Sequence, residues 1–316
     1  MKSKINLYTV HKEDLGIRLD KLFLKKFSQL NFSKIQKLIR TGYIKVNSIK
    51  TKASYKLKEK DIIQYGININ LIEESKNDIS IKRTYHKEID KIKEKIVFED
   101  REILALNKPS GVAVQGGSKI RLNIDIILPY LIDNEERLRL VHRIDKHTSG
   151  LLIVAKTKEA ARKMTKLFKE NKVEKKYWAV VLGRLNSKKG KIILPLNKKF
   201  ISGQEKVVID HDSKKHAETH YSVKERAENL SLLEVIPKTG RTHQIRVHLQ
   251  SIDKPIFGDY KYYTKIDDLN YNRKITMHLH AKELNFKLSG KKYSLSACLP
   301  DYFKKTLIEE FKVNYD

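Results

Sequence analysis

The segment from Leu138 to Lys156, L-R-L-V-H-R-I-D-K-H-T-S-G-L-L-I-V-A-K, leaves the chain few ways to fold. Leu151, Leu152, Ile153 and Val154 make an apolar run that reads as a buried strand, with Ser149-Gly150 as the turn signal before it. Leu138, Leu140 and Val141 lead in on the other side, so the pattern is strand, loop, strand. The polar insert holds His142, Arg143, Asp145 and His147, a density of chemistry that a purely structural loop does not need. A short polar loop with one Asp is ordinarily a solvated turn. The rest of the chain has to decide whether Asp145 is more than that.

At 316 residues the chain exceeds one comfortable core and suggests two domains. The 66 basic residues outnumber the 38 acidic ones, for a net charge of +28. A surplus of that size concerns partners rather than fold, and it points to a polyanion. No window approaches the roughly 18 apolar residues of a membrane span, and charges run throughout the first 20 residues, where a signal peptide needs an apolar segment. A soluble, cytoplasmic protein with no membrane partner is expected. One cysteine, Cys298, excludes an intrachain disulfide and any Cys-based zinc cluster. No Gly-x-Gly and no Gly-Lys-Ser/Thr occurs, so neither a dinucleotide loop nor a P-loop can be drawn, and chemistry without a nucleotide cofactor is expected.

The charge is uneven. Residues 1–60 carry 16 basic and 4 acidic residues, whereas residues 61–93 carry 6 of each. Within the basic front, Leu19, Leu22, Phe23, Phe27 and Leu30 recur at helical spacing. Ser33 is placed to N-cap a second helix from Lys34 to Thr41, closed by Gly42. That helix buries Ile35, Leu38 and Ile39 and leaves Lys34, Lys37 and Arg40 as a basic ridge. Tyr43 to Val46 reads as a strand, Asn47-Ser48 as a turn and Tyr55 to Tyr65 as more strand. R-L-D-K-L-F, S-K-I-Q-K-L-I-R-T-G-Y-I-K-V-N and L-K-E-K-D-I-I resemble the S4 RNA-binding domain, which implies RNA contact by Lys34, Lys37 and Arg40. A charge run is more commonly just a solvated face. The boundaries expected are an S4-like domain over 1–75, a charged linker over 76–93 and a second domain over 94–316.

In the second domain Val97-Phe98 and Ile103 to Leu106 read as strands, followed by the Pro/Gly-punctuated loop N-K-P-S-G-V-A-V-Q-G-G. Thr157 caps a helix that turns Ala160, Ala161, Met164, Leu167 and Phe168 inward, and Tyr177 to Leu182 is a long strand. Strands near 216–223 and 230–236 precede P-K-T-G-R-T-H-Q-I-R-V-H-L, a turn with Thr242 as the expected cap of a helix carrying Ile245 and Arg246. A hairpin of Leu284 to Leu288 with Leu295 and Ala297 nearly closes the domain. The fold class is α+β, with a mixed, mostly antiparallel central sheet behind the small N-terminal α/β domain.

Four segments then share a likeness: A-L-N-K-P-S-G-V-A-V-Q-G-G-S, V-H-R-I-D-K-H-T-S-G-L-L-I-V-A-K, E-K-K-Y-W-A-V-V-L-G and T-G-R-T-H-Q-I-R-V-H-L-Q. With them the chain resembles the Rlu-type pseudouridine synthases along nearly its whole length. The resemblance implies a pseudouridine synthase fold and an isomerase acting on RNA, 23S rRNA or a large-subunit precursor, without cofactor or metal and as a monomer. It makes Asp145 the carboxylate that acts on the uridine, Tyr177 the ring stacked on the base, Arg246 the ion-pair partner of Asp145 and Ile245 an apolar wall. Arg143 would fill the space left by the flipped nucleotide. Ile144, His147 and Gln115 depart from the commonest residues of the family at their positions.

The chemistry fits those roles. Moving the glycosidic link from N1 to C5 of uracil involves no net redox change, so missing cofactor loops are expected. An ionised carboxylate beside a guanidinium suits the work, because the neighbouring positive charge favours the anion. Taken singly, Tyr177 reads as a core tyrosine, Arg246 as a surface helix charge, His142 and His147 as hydrogen-bonded loop residues rather than metal ligands, and His243 and His248 as local packing or phosphate contacts. Two other functions compete: a non-catalytic S4-type RNA-binding or ribosome-assembly protein, and a glycosidase. The glycosidase needs two carboxylates flanking one bond, and the motif segments supply one.

Overall fold

The structure is a computed structural model describing residues 5–27, 30, 32–66, 84–116, 122–132, 137–201, 203–263 and 275–315, with the side chains of Ser33 and Lys34 also outside the description. The chain divides into two compact units, Met1–His86 and Lys87–Asp316. In the first, β1 (Ile5–Thr9), β3 (Ile62–Gly66) and β2 (Ile44–Val46) form an antiparallel sheet in that order, with α1 (Leu19–Lys26) and α2 (Phe32–Thr41) between β1 and β2 in sequence. The apolar residues at helical spacing do what the spacing predicts: Leu19, Leu22, Phe23, Ile35, Leu38 and Ile39 pack with Ile44 and Ile63 in one core. Lys37 and Arg40 lie exposed on α2, and the expected contact of Lys34 lies outside the described side chains. Two boundaries differ from the sequence reading. Helix α2 starts at Phe32, which puts Ser33 inside the helix rather than at its cap. The strand expected from Tyr55 is only Ile62–Gly66. Ahead of it, Leu57 N–H donates to Ile17 O and Leu19 N–H to Tyr55 O, both at 2.9 Å, so Lys56 makes only an isolated antiparallel bridge to Arg18, and Lys58 N–H then turns onto the Asp61 carboxylate at 2.8 Å.

Of the expected linker, residues 76–83 lie outside the description, but His86–Lys93 is a helix, α3, with Ile89 and Ile92 buried. The two buried residues stand three apart and so share one face of the helix, with the charges around them.

The second unit is built on a ten-stranded sheet. The path runs through β4 (Ile96–Glu99), β5 (Ile103–Lys108), β7 (Ser149–Ala155), β14 (Leu279–Leu288), β8 (Glu174–Leu182), β13 (Leu230–Pro237), β12 (Glu218–Arg226) and β9 (Lys189–Ile193). Two strands lie off that path: β15 (Lys291–Ser296) pairs with β14, and the two-residue β6 (Arg139–Leu140) pairs with β7. All pairings are antiparallel except β7 with β14. A separate hairpin, β10 (Leu196–Ile201) with β11 (Gln204–Ile209), stands beside the sheet. Every residue of β7 is buried, which is why its sequence runs apolar without alternation. After the short helix α4 (Ile124–Ile127), helix α5 (Lys158–Lys169) covers one side, with Thr157 Oγ1 accepting from Ala160 N–H at 3.1 Å and Ala160 and Met164 in the core. Among the described residues no helix is long and apolar enough to cross a membrane.

One row across three strands positions the site. Gly150 on β7 pairs with Ala281 on β14, and Ala281 pairs with Tyr177 on β8. Strands lie about 4.8 Å apart, so the row puts Tyr177 two strand spacings from the end of the Asp145 loop. Gly150 has φ +103°, and a Cβ there would stand 2.3 Å from the Ala281 carbonyl oxygen. Only glycine allows the parallel pair to close this tightly.

Candidate active site

Residues 141–148 form the loop between β6 and β7, and Thr148 N–H closes it on Asp145 O at 3.1 Å. The loop is tied to its neighbour by a buried amine. Lys108 Nζ, 0% exposed, donates to the carbonyls of Pro109 at 2.9 Å, Val112 at 2.8 Å and Lys146 at 3.2 Å. Burial brings its pKa down to about 7, against the opposing charge of Asp145.

A second loop meets the first. After β13, residues 238–243 lead into α6 (Gln244–Ser251), and Gln244 fixes the turn with all of its hydrogen-bonding capacity. Its Oε1 accepts from Thr239 Oγ1 at 2.7 Å and Arg241 N–H at 3.0 Å, while Nε2 donates to Glu218 O at 2.9 Å and Thr219 Oγ1 at 3.0 Å. The helix cap is His243, in the left-handed region at φ 53°, not the Thr242 that the sequence suggested. A β-branched threonine is a poor occupant of that conformation, and histidine a commoner one.

These two loops, with β8, enclose a cavity of about 340 Å³, within the roughly 300–1,000 Å³ of ordinary ligand sites. Arg143, Asp145, Tyr177, Ile245 and Arg246 all line it. Arg143 is exposed at the mouth, Ile245 contributes a buried apolar wall, and Tyr177 is half-buried. Burial, then the nearby Asp145 charge, pushes the Tyr177 phenol above its usual range, so it is neutral. Arg246 Nη1 donates to Asp145 Oδ2 at 3.2 Å.

The closer partner of Arg246 is one the sequence reading missed. Its Nε and Nη2 donate to Asp259 Oδ2 and Oδ1 at 2.7 and 2.8 Å, a bidentate pair with Arg246 at 5% and Asp259 at 2% exposure. Burial alone would lower the guanidinium pKa, but the two carboxylates, Asp259 first, carry it well above its ordinary value. Asp259 is therefore a second carboxylate near the site, but both its oxygens are occupied, Oδ1 by Lys261 N–H as well. The two flanking carboxylates of a glycosidase are not what this arrangement offers. Tyr262 supports the pair, its ring 4.9 Å from the Arg246 guanidinium carbon. Asp259 and Tyr262 carried no signal in the motifs, since their segment looks like an ordinary G-D-Y-K-Y turn.

The histidines separate. His142 Nε2 accepts from Ile153 N–H at 2.8 Å and the ring stacks on Phe168 at 4.2 Å; burial takes its pKa to about 3. His248 bridges Thr219 Oγ1 and Leu194 O. Both are structural, and His147 sits exposed on the loop. His243 differs, because it lines the cavity with Nε2 3.8 Å from Asp145 Oδ2. Among the described residues no group of His, Cys, Asp and Glu is arranged to hold a metal.

Comparison with known proteins agrees with this architecture. Residues 102–251 match the model of the RNA pseudouridylate synthase family. Ribosomal large subunit pseudouridine synthase C of Haemophilus ducreyi is 33% identical over 99% of this chain and 97% of its own length. The protein of the same name from Rickettsia bellii is 38% identical over 92% of this chain and 97% of its own. The solved structure of human RNA pseudouridylate synthase domain containing 4 superposes with a TM-score of 0.61 at 28% identity, covering 71% of this chain and 96% of that one.

Proposed function

Since the chain belongs to the RNA pseudouridylate synthase family, in its Rlu-type branch, we propose that it isomerises specific uridines of 23S rRNA, or of a large-subunit precursor, to pseudouridine. The substrate follows the names of the relatives, which are ribosomal large subunit enzymes. In the reaction the N1–C1′ bond breaks and a C5–C1′ bond forms, C5 loses its proton and N1 gains one. Atoms and electrons balance within the nucleoside, so no cofactor is required.

Asp145 acts as the nucleophile. The observation that carries this is the Arg246–Asp145 contact at 3.2 Å in a cavity lined by Tyr177 and Ile245, which sets a cation beside the carboxylate and leaves room for a detached base. Tyr177 offers its ring as the platform for uracil. Arg143, exposed on the same loop, fills the stack when the nucleotide swings out, which offsets part of the few kcal/mol that unstacking costs. The first unit serves as an S4-like RNA-binding domain, and its exposed Lys37 and Arg40 support that reading.

The Asp145→Asn enzyme keeps the shape of the side chain and loses the anion. It should bind a uridine-containing rRNA fragment normally and form no pseudouridine; turnover near that of wild type would remove Asp145 from its role. Mapping pseudouridines in rRNA from cells with and without the gene identifies the target.

A further inference from the structure

Three hydrogen-bonding groups lie in line behind the nucleophilic carboxylate, and the first of them fixes the state of the rest. Val207 N–H, on β11, donates to Tyr262 OH at 3.3 Å. Tyr262 OH and His243 Nδ1 are 2.5 Å apart. A phenol that accepts from an amide still has its own proton to place, so the arrangement that uses both capacities has Tyr262 donating to His243 Nδ1. A neutral imidazole that accepts at Nδ1 carries its proton on Nε2. The ring is neutral because burial takes its pKa to about 4, with Asp145 opposing and Arg246 and Lys261 adding to the depression. Nε2 is the atom that faces Asp145 Oδ2 at 3.8 Å. That separation is longer than a hydrogen bond, as contacts around a nucleophile commonly are before substrate is bound.

Two further observations give the arrangement a direction. Arg246 Nη1 and His243 Nε2 make their nearest approaches to the carboxylate at the same oxygen, Oδ2, at 3.2 and 3.8 Å. The backbone of His243 lies at φ 53°, ψ 19°, a conformation that strains an L residue and persists where the surroundings demand it. On that backbone the ring meets Tyr262 with one nitrogen and faces the carboxylate with the other.

We propose that His243 is a positioning residue for Asp145. Through the chain Val207 N–H to Tyr262 to His243, its Nε2–H is turned onto Oδ2 beside Arg246, so that Oδ1 is the oxygen presented to the uridine. This rests on the reading of Asp145 as nucleophile. It also makes β11, a strand of the hairpin beside the sheet, part of what orients that nucleophile.

The state of the imidazole is measured without any variant losing its fold. In 15N spectra of the full-length enzyme labelled in histidine, with His243→Gln used to assign the signal, His243 should be the neutral Nε2–H tautomer at neutral pH. An Nδ1–H tautomer or an imidazolium there would overturn the proposal. Removing the phenol in Tyr262→Phe should let the Nδ1–H form appear; an unchanged tautomer in that variant also counts against the chain. Single-turnover kinetics give the second arm. A Gln amide nitrogen reaches the position of Nε2, whereas an Asn amide reaches only that of Nδ1 and tolerates the left-handed backbone. His243→Gln should stay within a few-fold of wild type, and His243→Asn should lose roughly tenfold or more in rate at unchanged RNA affinity. Equal rates for the two variants, or a loss in affinity alone, would show that His243 only packs. If Asp145→Asn is active, the nucleophile reading has failed. If Asp145→Asn is inactive while His243→Asn matches wild type, only the present inference has.

Discussion

Lys37 and Arg40 stand exposed on α2, each free to move in water, whereas Arg246 on α6 is 5% exposed and fixed between Asp145 and Asp259. The first pair belongs to a surface of like charge whose field is a sum over residues, and losing one member subtracts one share. The second is a chain in which each charge stabilises the next, so losing one member strands the others. A polyanion can be gripped by the first kind of arrangement. Chemistry at one atom of one base needs the second.

The steepest test of that contrast is Arg246→Met. It leaves Asp259 as a buried, unpaired anion and Asp145 without its counter-charge, which should cost about 3–5 kcal/mol of stability in denaturant unfolding and roughly a hundredfold or more in rate. Adding Asp259→Asn to Arg246→Met should restore much of the stability and none of the activity. Losses that simply add would place these residues under the same rule as Lys37 and Arg40.

A smaller effect is expected at Arg143, which is exposed like Lys37 but lines the cavity like Arg246. Arg143→Ala should slow modification of a stacked uridine roughly tenfold more than that of an unstacked one, as measured in single turnovers on paired and unpaired versions of one substrate. Equal losses on both would assign Arg143 to phosphate contact. The smallest effect belongs to α2. Replacing Lys37 and Arg40 with Gln should lower the log-log salt slope of RNA binding by about 0.7 to 0.9 per lost phosphate contact, with the double variant showing the sum of the single ones. A cooperative loss would break the contrast from the other side.

What the sequence disclosed follows the range of each interaction. Periodicity gave α1 and the buried face of α2, because Leu19, Leu22 and Phe23 meet Ile35 and Ile39 within twenty residues of chain. The β7 run was legible for a similar reason: a strand buried on both faces has no polar position to hide it. The cavity residues were recognised through resemblance, and their pairing fits, since Arg246 does reach Asp145. Asp259 could not be read in the same way. Its partner is thirteen residues back, across a turn whose course depends on Gly258, φ +83°, packing against the Thr276 backbone. His243 was passed over because the neighbouring Thr242 is the better cap by residue type, and only the fold shows that the cap position is left-handed. The helix over His86–Lys93 went unread for the opposite reason: the charges around Ile89 and Ile92 masked its short apolar face.

The place of β14 carries a consequence for when the enzyme comes into being. It lies between β7 and β8, yet it spans residues 279–288, so the middle of the sheet is synthesised after every other strand on its path. As the chain emerges from its N-terminal end, β4, β5 and β7 can pair among themselves, and so can β8, β13, β12 and β9, because those neighbours are already present. The two halves have no edge in common until β14 arrives to bond with both. Asp145 precedes one half and Tyr177 sits in the other, separated by the missing strand. A nascent chain that has passed Arg246 but not Leu279 therefore holds Arg143, Asp145, Tyr177, Ile245 and Arg246 in full, while the strand that joins the two halves of the sheet around them is still to come.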